Sequence, residues 1–297
     1  MTALASPPPA PTRGPLARSL AWGGGLLAGA LILASAASLV SQLGARTATS
    51  ERVYDARAVV ELIADGDVTV RVGTGDEVGV IVTARYAWTS PDYSQTTDGD
   101  RLVITHTCRW WGGSECRGDL AVVVPAHTRV VVRTSNGSVQ ASGLLADVEA
   151  RTSNGSVDVT DVDGDVTAVS SNGSVRVSEV TGDGVLSSSS GSVEARDIGG
   201  SLEAQTSNGD VAVSTVGGSA RLEASSGSID AAGVLGDVDA RTDVGDVTVH
   251  GTGKPVALDM ATSVGEQVVD APTDPSATTS VTIRSSSGSV SYLGPKD

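Results

Sequence analysis

Cys108 and Cys116 are the only cysteines in the sequence, and they bracket the loop Arg109-Trp110-Trp111-Gly112-Gly113-Ser114-Glu115. Two nearby thiols can ligate a metal or form a disulfide. A closed metal site wants about four ligands, and only His106 is close in sequence, so the prediction is a bridge that pins the loop of an exported chain. Trp110 and Trp111 admit two readings. They either close one end of the fold, or stand exposed to stack on a sugar or insert into a partner.

The rest of the chain offers little reactive chemistry. Three histidines are present, His106, His127 and His250, and each reads as a surface or strand residue. No GxSxG elbow occurs, and the serines recur in columns such as Ser138, Ser156, Ser174 and Ser192, which marks turn chemistry rather than a nucleophile. The calcium-binding nonapeptide pattern is also missing. Where its Asp belongs stand Gln140, Arg176, Glu194 and Ala212, leaving only incidental cation binding by Asp161, Asp163 and Asp165. No catalytic residue, metal ligand or cofactor is assigned, and the chain reads as a non-enzyme.

What must position these residues is a repeat. Gly137, Gly155, Gly173, Gly191, Gly209, Gly227 and Gly245 stand 18 residues apart without slippage. Two and four places after each glycine the residues are apolar, as in Val139 and Ala141 or Val157 and Val159, with Gln140 or Asp158 between. That period-two alternation is a strand with one buried face. A third apolar column comes seven places on, at Leu144, Val162, Val180, Ile198, Val216 and Val234. Second glycines at Gly164, Gly182, Gly200, Gly218 and Gly236 divide each unit into two halves, each a turn and a short strand. So small a unit cannot bury its apolar face alone, so neighbours must stack in parallel as a β-solenoid. The six regular rungs would extend roughly 30 Å at about 4.8 Å per strand. Asn136, Asn154, Asn172 and Asn208 would fall above one another and bond along the stack.

Phe is absent, and no Trp or Tyr falls between Thr134 and His250. A Val, Ala, Leu and Ile core suits a narrow solenoid interior. Residues 52–133 keep the alternation without the strict period and read as irregular rungs and cap, with loops at Trp88 to Asp100 and Arg109 to Gly118; Asp65 to Val72 looks like a degenerate rung. After the regular array, residues 134–250, candidate final rungs run from Val256 to Val269 and from Ser280 to Leu293, within a C-terminal cap region 251–297.

Leu20 to Leu43 is a 24-residue uncharged stretch, and at about 1.5 Å per residue it can cross a bilayer core of about 30 Å. Arg13 and Arg18 precede it, which would keep the Pro-rich tail 1–19 cytoplasmic and place everything after the linker 44–51 outside. A signal peptide cleaved near Ala34-Ser35-Ala36 is the competing reading. Either way the C-terminal part is exported. Beyond residue 46 it carries 17 basic against 35 acidic residues, which argues against nucleic-acid partners.

The combination of an anchor, GDVTVRVGTGDEVGV, the DGDRLVI strand, DLAVVVPAHTRVVVRTSNGSV and tandem TSNGSVxV units resembles the bacterial putative-adhesin β-solenoid domain family. The resemblance covers about residues 52–293. It implies a membrane-anchored cell-surface module of actinobacterial type that binds a surface protein or glycan, and it supplies no catalytic residues. An envelope-stress sensing or signalling accessory is the alternative, and a polysaccharide-acting β-helix enzyme the third reading. The fold expected is all-β, a single-stranded parallel β-solenoid with 18-residue rungs after one transmembrane helix.

Overall fold

The computed structural model describes residues 45–109 and 116–296. The tail 1–19, the predicted span 20–43, Trp110 and Trp111 lie outside the described residues. No helix among the described residues is long and apolar enough to cross a membrane. Residues 47–297 form one compact unit whose core is built from its own side chains.

Each 18-residue coil contributes one strand to each of two sheets, which hold 13 and 12 strands among the described residues. Val139–Leu144 lies in the first and Val148–Thr152 in the second. Pairing between coils is parallel and shifted by one repeat, with Val157 on Val175 and Val148 on Val166. Across the regular array the inward columns are filled by Val, Ala, Leu and Ile, with Gly184 once in their place. Each fully buried Val or Leu contributes about 1.5–3 kcal/mol.

The glycine column is a packing requirement. A Cβ on Gly155 would strike the backbone of Gly137, and one on Gly173 that of Gly155. The column also extends past the seven regular members. Gly66 packs between Gly118 and Gly137, and Gly288 between Gly245 and Gly265. A buried hydroxyl accompanies most steps: Thr152 Oγ1 donates to the Gly137 carbonyl at 2.8 Å, Ser170 Oγ to Gly155 at 2.7 Å and Thr206 Oγ1 to Gly191 at 2.8 Å. The hydroxyl thus fastens the end of a coil to its own beginning. Asn154 Nδ2 donates to Asn136 Oδ1 at 3.2 Å and Asn172 Nδ2 to Asn154 Oδ1 at 3.1 Å. That ladder breaks where Ser190 intervenes before Asn208, which donates instead to the Ser189 carbonyl.

Spatial order departs from chain order at both ends. The strands Val59–Ala64 and Val68–Val72 lie between the coil of residues 101–124 and that of residues 129–144. At the other end Ser280–Ser287 and Val290–Leu293 lie between the coil ending at His250 and the strands Ala257–Val264 and Gln267–Asp270. The rungs expected in sequential order are therefore nested, with the later C-terminal coil inside the earlier one. Parallel pairing is also not universal. Glu77–Tyr86 runs antiparallel to Arg117–Val124, and Asp92–Asp98 antiparallel to Arg101–Thr107. The latter strand occupies the segment expected as the loop Trp88 to Asp100. Gly99, at φ 57°, makes the tight turn before Arg101, so the Asp98-Gly99-Asp100 triplet is a hairpin signal. Likewise Arg46–Asp55 is a strand covering part of the expected linker 44–51.

Candidate functional site

Cys108 and Cys116 are bridged, with Cα atoms 5.9 Å apart. The bridge joins the end of Arg101–Thr107 to the start of Arg117–Val124. Asp65 Oδ2 accepts the Cys108 amide, and Arg109 Nε donates to Asp92 Oδ2 at 2.6 Å. Beside the bridge, His106 is 1% exposed. It is a strand residue, but its ring lies inside, edge-on to Tyr93 with centroids 6.1 Å apart. Burial pushes the His106 pKa below its usual value, against the opposing pull of the Asp119 carbonyl 3.3 Å from Nδ1. A neutral imidazole wedged in this way is a packing element.

The N-terminal end is closed by tyrosines. Tyr54 and Tyr93 pack against the core and share a 2.6 Å hydroxyl hydrogen bond, while the Arg52 guanidinium sits 4.3 Å over the Tyr93 ring. Loss of water around Tyr93, reinforced by the Tyr54 bond, raises its pKa. Trp88, at the start of the expected loop, is 69% exposed. The sequence reading missed the ion pairs that hold the nested N-terminal coil. Glu61 is 7% exposed and takes Arg101 on one side and Arg133 on the other, so one carboxylate ties that coil to both neighbours.

A groove of about 560 Å³ crosses the outer face of the 12-stranded sheet. It is lined by Asp183, Glu203, Arg221, Asp237, Asp239 and Thr282 among others. In-register pairing brings them together, with Glu203 beside Arg221, Arg221 beside Asp239 and Asp239 beside Thr282. Arg221 is held by Glu223 at 2.6 Å and Arg241 reaches Asp239 Oδ2 at 2.8 Å, leaving Asp239 Oδ1 buried without a partner. Asp183 Oδ1 and Asp237 Oδ1 accept the amides of Ser201 and Ser280, which makes them turn acceptors. The remaining carboxylates and hydroxyls offer hydrogen bonds to a polyhydroxylated or cationic surface. Among the described residues no group of three or more His, Cys, Asp and Glu could hold a metal ion. Asp165 is itself bonded to the Asp183 amide at 2.8 Å.

With that geometry in hand, residues 61–294 match the Toastrack DUF4097 family. The chain belongs to the Toastrack DUF4097 family. No curated protein matches it. Among solved structures, this Toastrack chain is similar to a putative adhesin from Bacteroides fragilis at 14% identity and TM-score 0.44, covering 84% of this chain and 97% of that one. A putative adhesin from Parabacteroides distasonis matches at 12% identity and TM-score 0.43, with 84% and 97% covered. A putative lipid binding protein from the same species matches at 13% identity and TM-score 0.40, with 85% and 95% covered.

Proposed function

We propose that this Toastrack protein is a non-enzymatic, membrane-anchored cell-surface module whose outer sheet faces bind a surface protein or glycan. The observation that carries the reading is the division of labour within each coil. Inward columns repeat the same small apolar residues, whereas the outward column reads Glu149, Thr167, Val185, Glu203, Arg221 and Asp239 along one face. A backbone that repeats while its outer side chains vary is a rigid support for a non-periodic ligand. The uncharged stretch Leu20 to Leu43 supports tethering, with the following domain outside the cell.

Residues 47–297, applied to bacterial cells, purified envelope polysaccharide and matrix protein, should bind at least one of them saturably. Arg221→Glu with Asp239→Lys inverts two groove charges and should weaken that binding by about ten-fold or more, since even one lost charged contact is worth roughly 1.5–3 kcal/mol. Binding no stronger than that of a charge-matched control would remove the support for this reading.

A further inference from the structure

The two ends of the solenoid are finished differently. At the N-terminal end the outermost strands are Arg46–Asp55 and Asp92–Asp98, the latter antiparallel to its neighbour. They carry Arg46, Glu51, Arg52 and Asp55 on one strand and Asp92 and Asp98 on the other. Charges along an edge discourage another strand from pairing there. At the C-terminal end the outermost strands are Ala257–Val264 and Gln267–Asp270, whose only charged side chains are Asp259 and Asp270. Val264 is 68% exposed, Val268 41% and Val269 52%. The loop after them covers only the start of this end, where the Asp274 amide bonds the Val256 carbonyl and Thr273 bridges Val256. A hollow of about 490 Å³ remains, lined in part by Leu258, Asp259, Val269 and Pro275.

We propose that this end pairs with the same end of a second copy of the chain, extending both sheets through a two-fold axis. Strands of the two sheets run in opposite directions around a coil, so one two-fold axis normal to the sheets makes both edges meet their copies antiparallel at once. The residues permit it. Facing residues in an antiparallel pair lie on the same side of the sheet. A pairing centred on Ala261 therefore sets Leu258 against Val264, Met260 against Thr262 and Asp259 against Ser263. One centred on Val268 sets Val268 on its own copy and Gln267 against Val269. Asp259 faces a hydroxyl, the backbone groups of both edges are satisfied and the three exposed valines are covered, while Asp270 meets Glu266 of the copy at the flank of the shorter pair, a like-charge cost the contact must outweigh. The strand Arg46–Asp55 lies at the opposite end of the 13-stranded sheet. If the anchored reading above holds, the contact joins copies on facing membranes.

Sedimentation of the full-length chain in mild detergent, and of residues 47–297, should show a concentration-dependent dimer. Val268→Lys and Val268→Glu should each weaken dimerisation by about ten-fold or more, because like charges meet on the axis. Mixed in equal amounts the two variants should pair with each other, which a folding defect would not allow. Val53→Lys, at the other end, should dimerise like the parent. A chain that stays monomeric into the millimolar range, or mixed variants that fail to pair, overturns the proposal; so does a dimer lost in Val53→Lys but kept in Val268→Lys. Beads bearing the chain by its N-terminus test the tethered reading separately: a dimer in solution without bead clustering leaves the contact standing and removes the membrane-to-membrane role.

Discussion

The hydroxyl three residues before each anchor glycine decides how tightly a coil closes. Thr134, Thr152, Ser170, Ser188, Thr206, Thr242 and Ser285 are all buried and all donate to a glycine carbonyl. Ala224 stands in the same column, between Thr206 and Thr242, and breaks the series. A buried carbonyl stripped of its donor loses about 1–3 kcal/mol, whereas a new hydrogen bond in a prepared site gains about 0.5–1.5 kcal/mol. Thr152→Val, which keeps the volume, should lower the urea-unfolding free energy by about 1–3 kcal/mol, and Ala224→Thr should raise it by about 1 kcal/mol. Equal effects of Thr152→Val and of Thr97→Val, at an exposed position, would show that the hydroxyl does nothing beyond filling space. The Thr or Ser of each TSNG or SSNG unit was visible in the sequence. Its inward direction was not, because turn serines on the other side of the glycine, such as Ser156 and Ser174, belong to the outside of the corner.

At the level of the strand, the apolar columns two, four and seven places after the glycine cannot all lie on one face of an unbroken strand, because seven is odd. The structure supplies the missing phase shift one residue earlier. Gly143, Asp161, Glu179, Asp197, Thr215 and Gly233 have φ values of 72°, 57°, 57°, 53°, 60° and 67°. Strand pairing skips this position, running from Thr160 with Ser178 straight to Val162 with Val180. One left-handed residue per coil therefore turns the next side chain back into the core. Each such non-glycine residue costs about 1–2 kcal/mol, most for a β-branched one. Thr215→Gly should stabilise the protein by about 0.5–1 kcal/mol after the entropy glycine loses is deducted, and Gly233→Val should destabilise it by about 1–2 kcal/mol. Thermal or urea unfolding reads both, and a destabilised Thr215→Gly would mean the Thr side chain holds the corner. The parity of the columns made this bend legible before any coordinates. Glu179 and Thr215 concealed it, since neither is a residue that usually marks positive φ.

For the whole domain, the regular coils followed from spacing alone, whereas the nesting of the end coils did not. Gly66 and Gly288 carry the same turn as the array, and Glu61 with Arg101 and Arg133 fastens one nested coil, but the residues that decide which coil lies inside are far apart in sequence. Residues 73–76 and 251–256 take the chain outward, and residues 125–128 and 271–279 bring it back. A consequence follows for the C-terminus. Ser280–Ser287 has a strand on each side, Val238–Val244 and Ala257–Val264, while Ala257–Val264 has a neighbour on one side only. Tyr292, fully buried, packs its ring into the inward column between Val249 and Val269. Local opening tracks lost neighbours rather than distance from the chain end. In the monomer, at concentrations too low for pairing between copies, amides of residues 281–293 should therefore exchange with deuterium about ten-fold or more slowly than those of 257–270, a difference of about 1.4 kcal/mol in opening free energy. Truncation tests the same order: stopping after residue 250 removes both outer coils and leaves Val247–His250 and Val238–Val244 as new edges. Stopping after residue 278 removes the inner coil alone, so residues 257–270 lose their only partner and should become fully exchangeable. Fast exchange at 281–293 in the intact chain, as expected of a fraying tail, would contradict the nested arrangement.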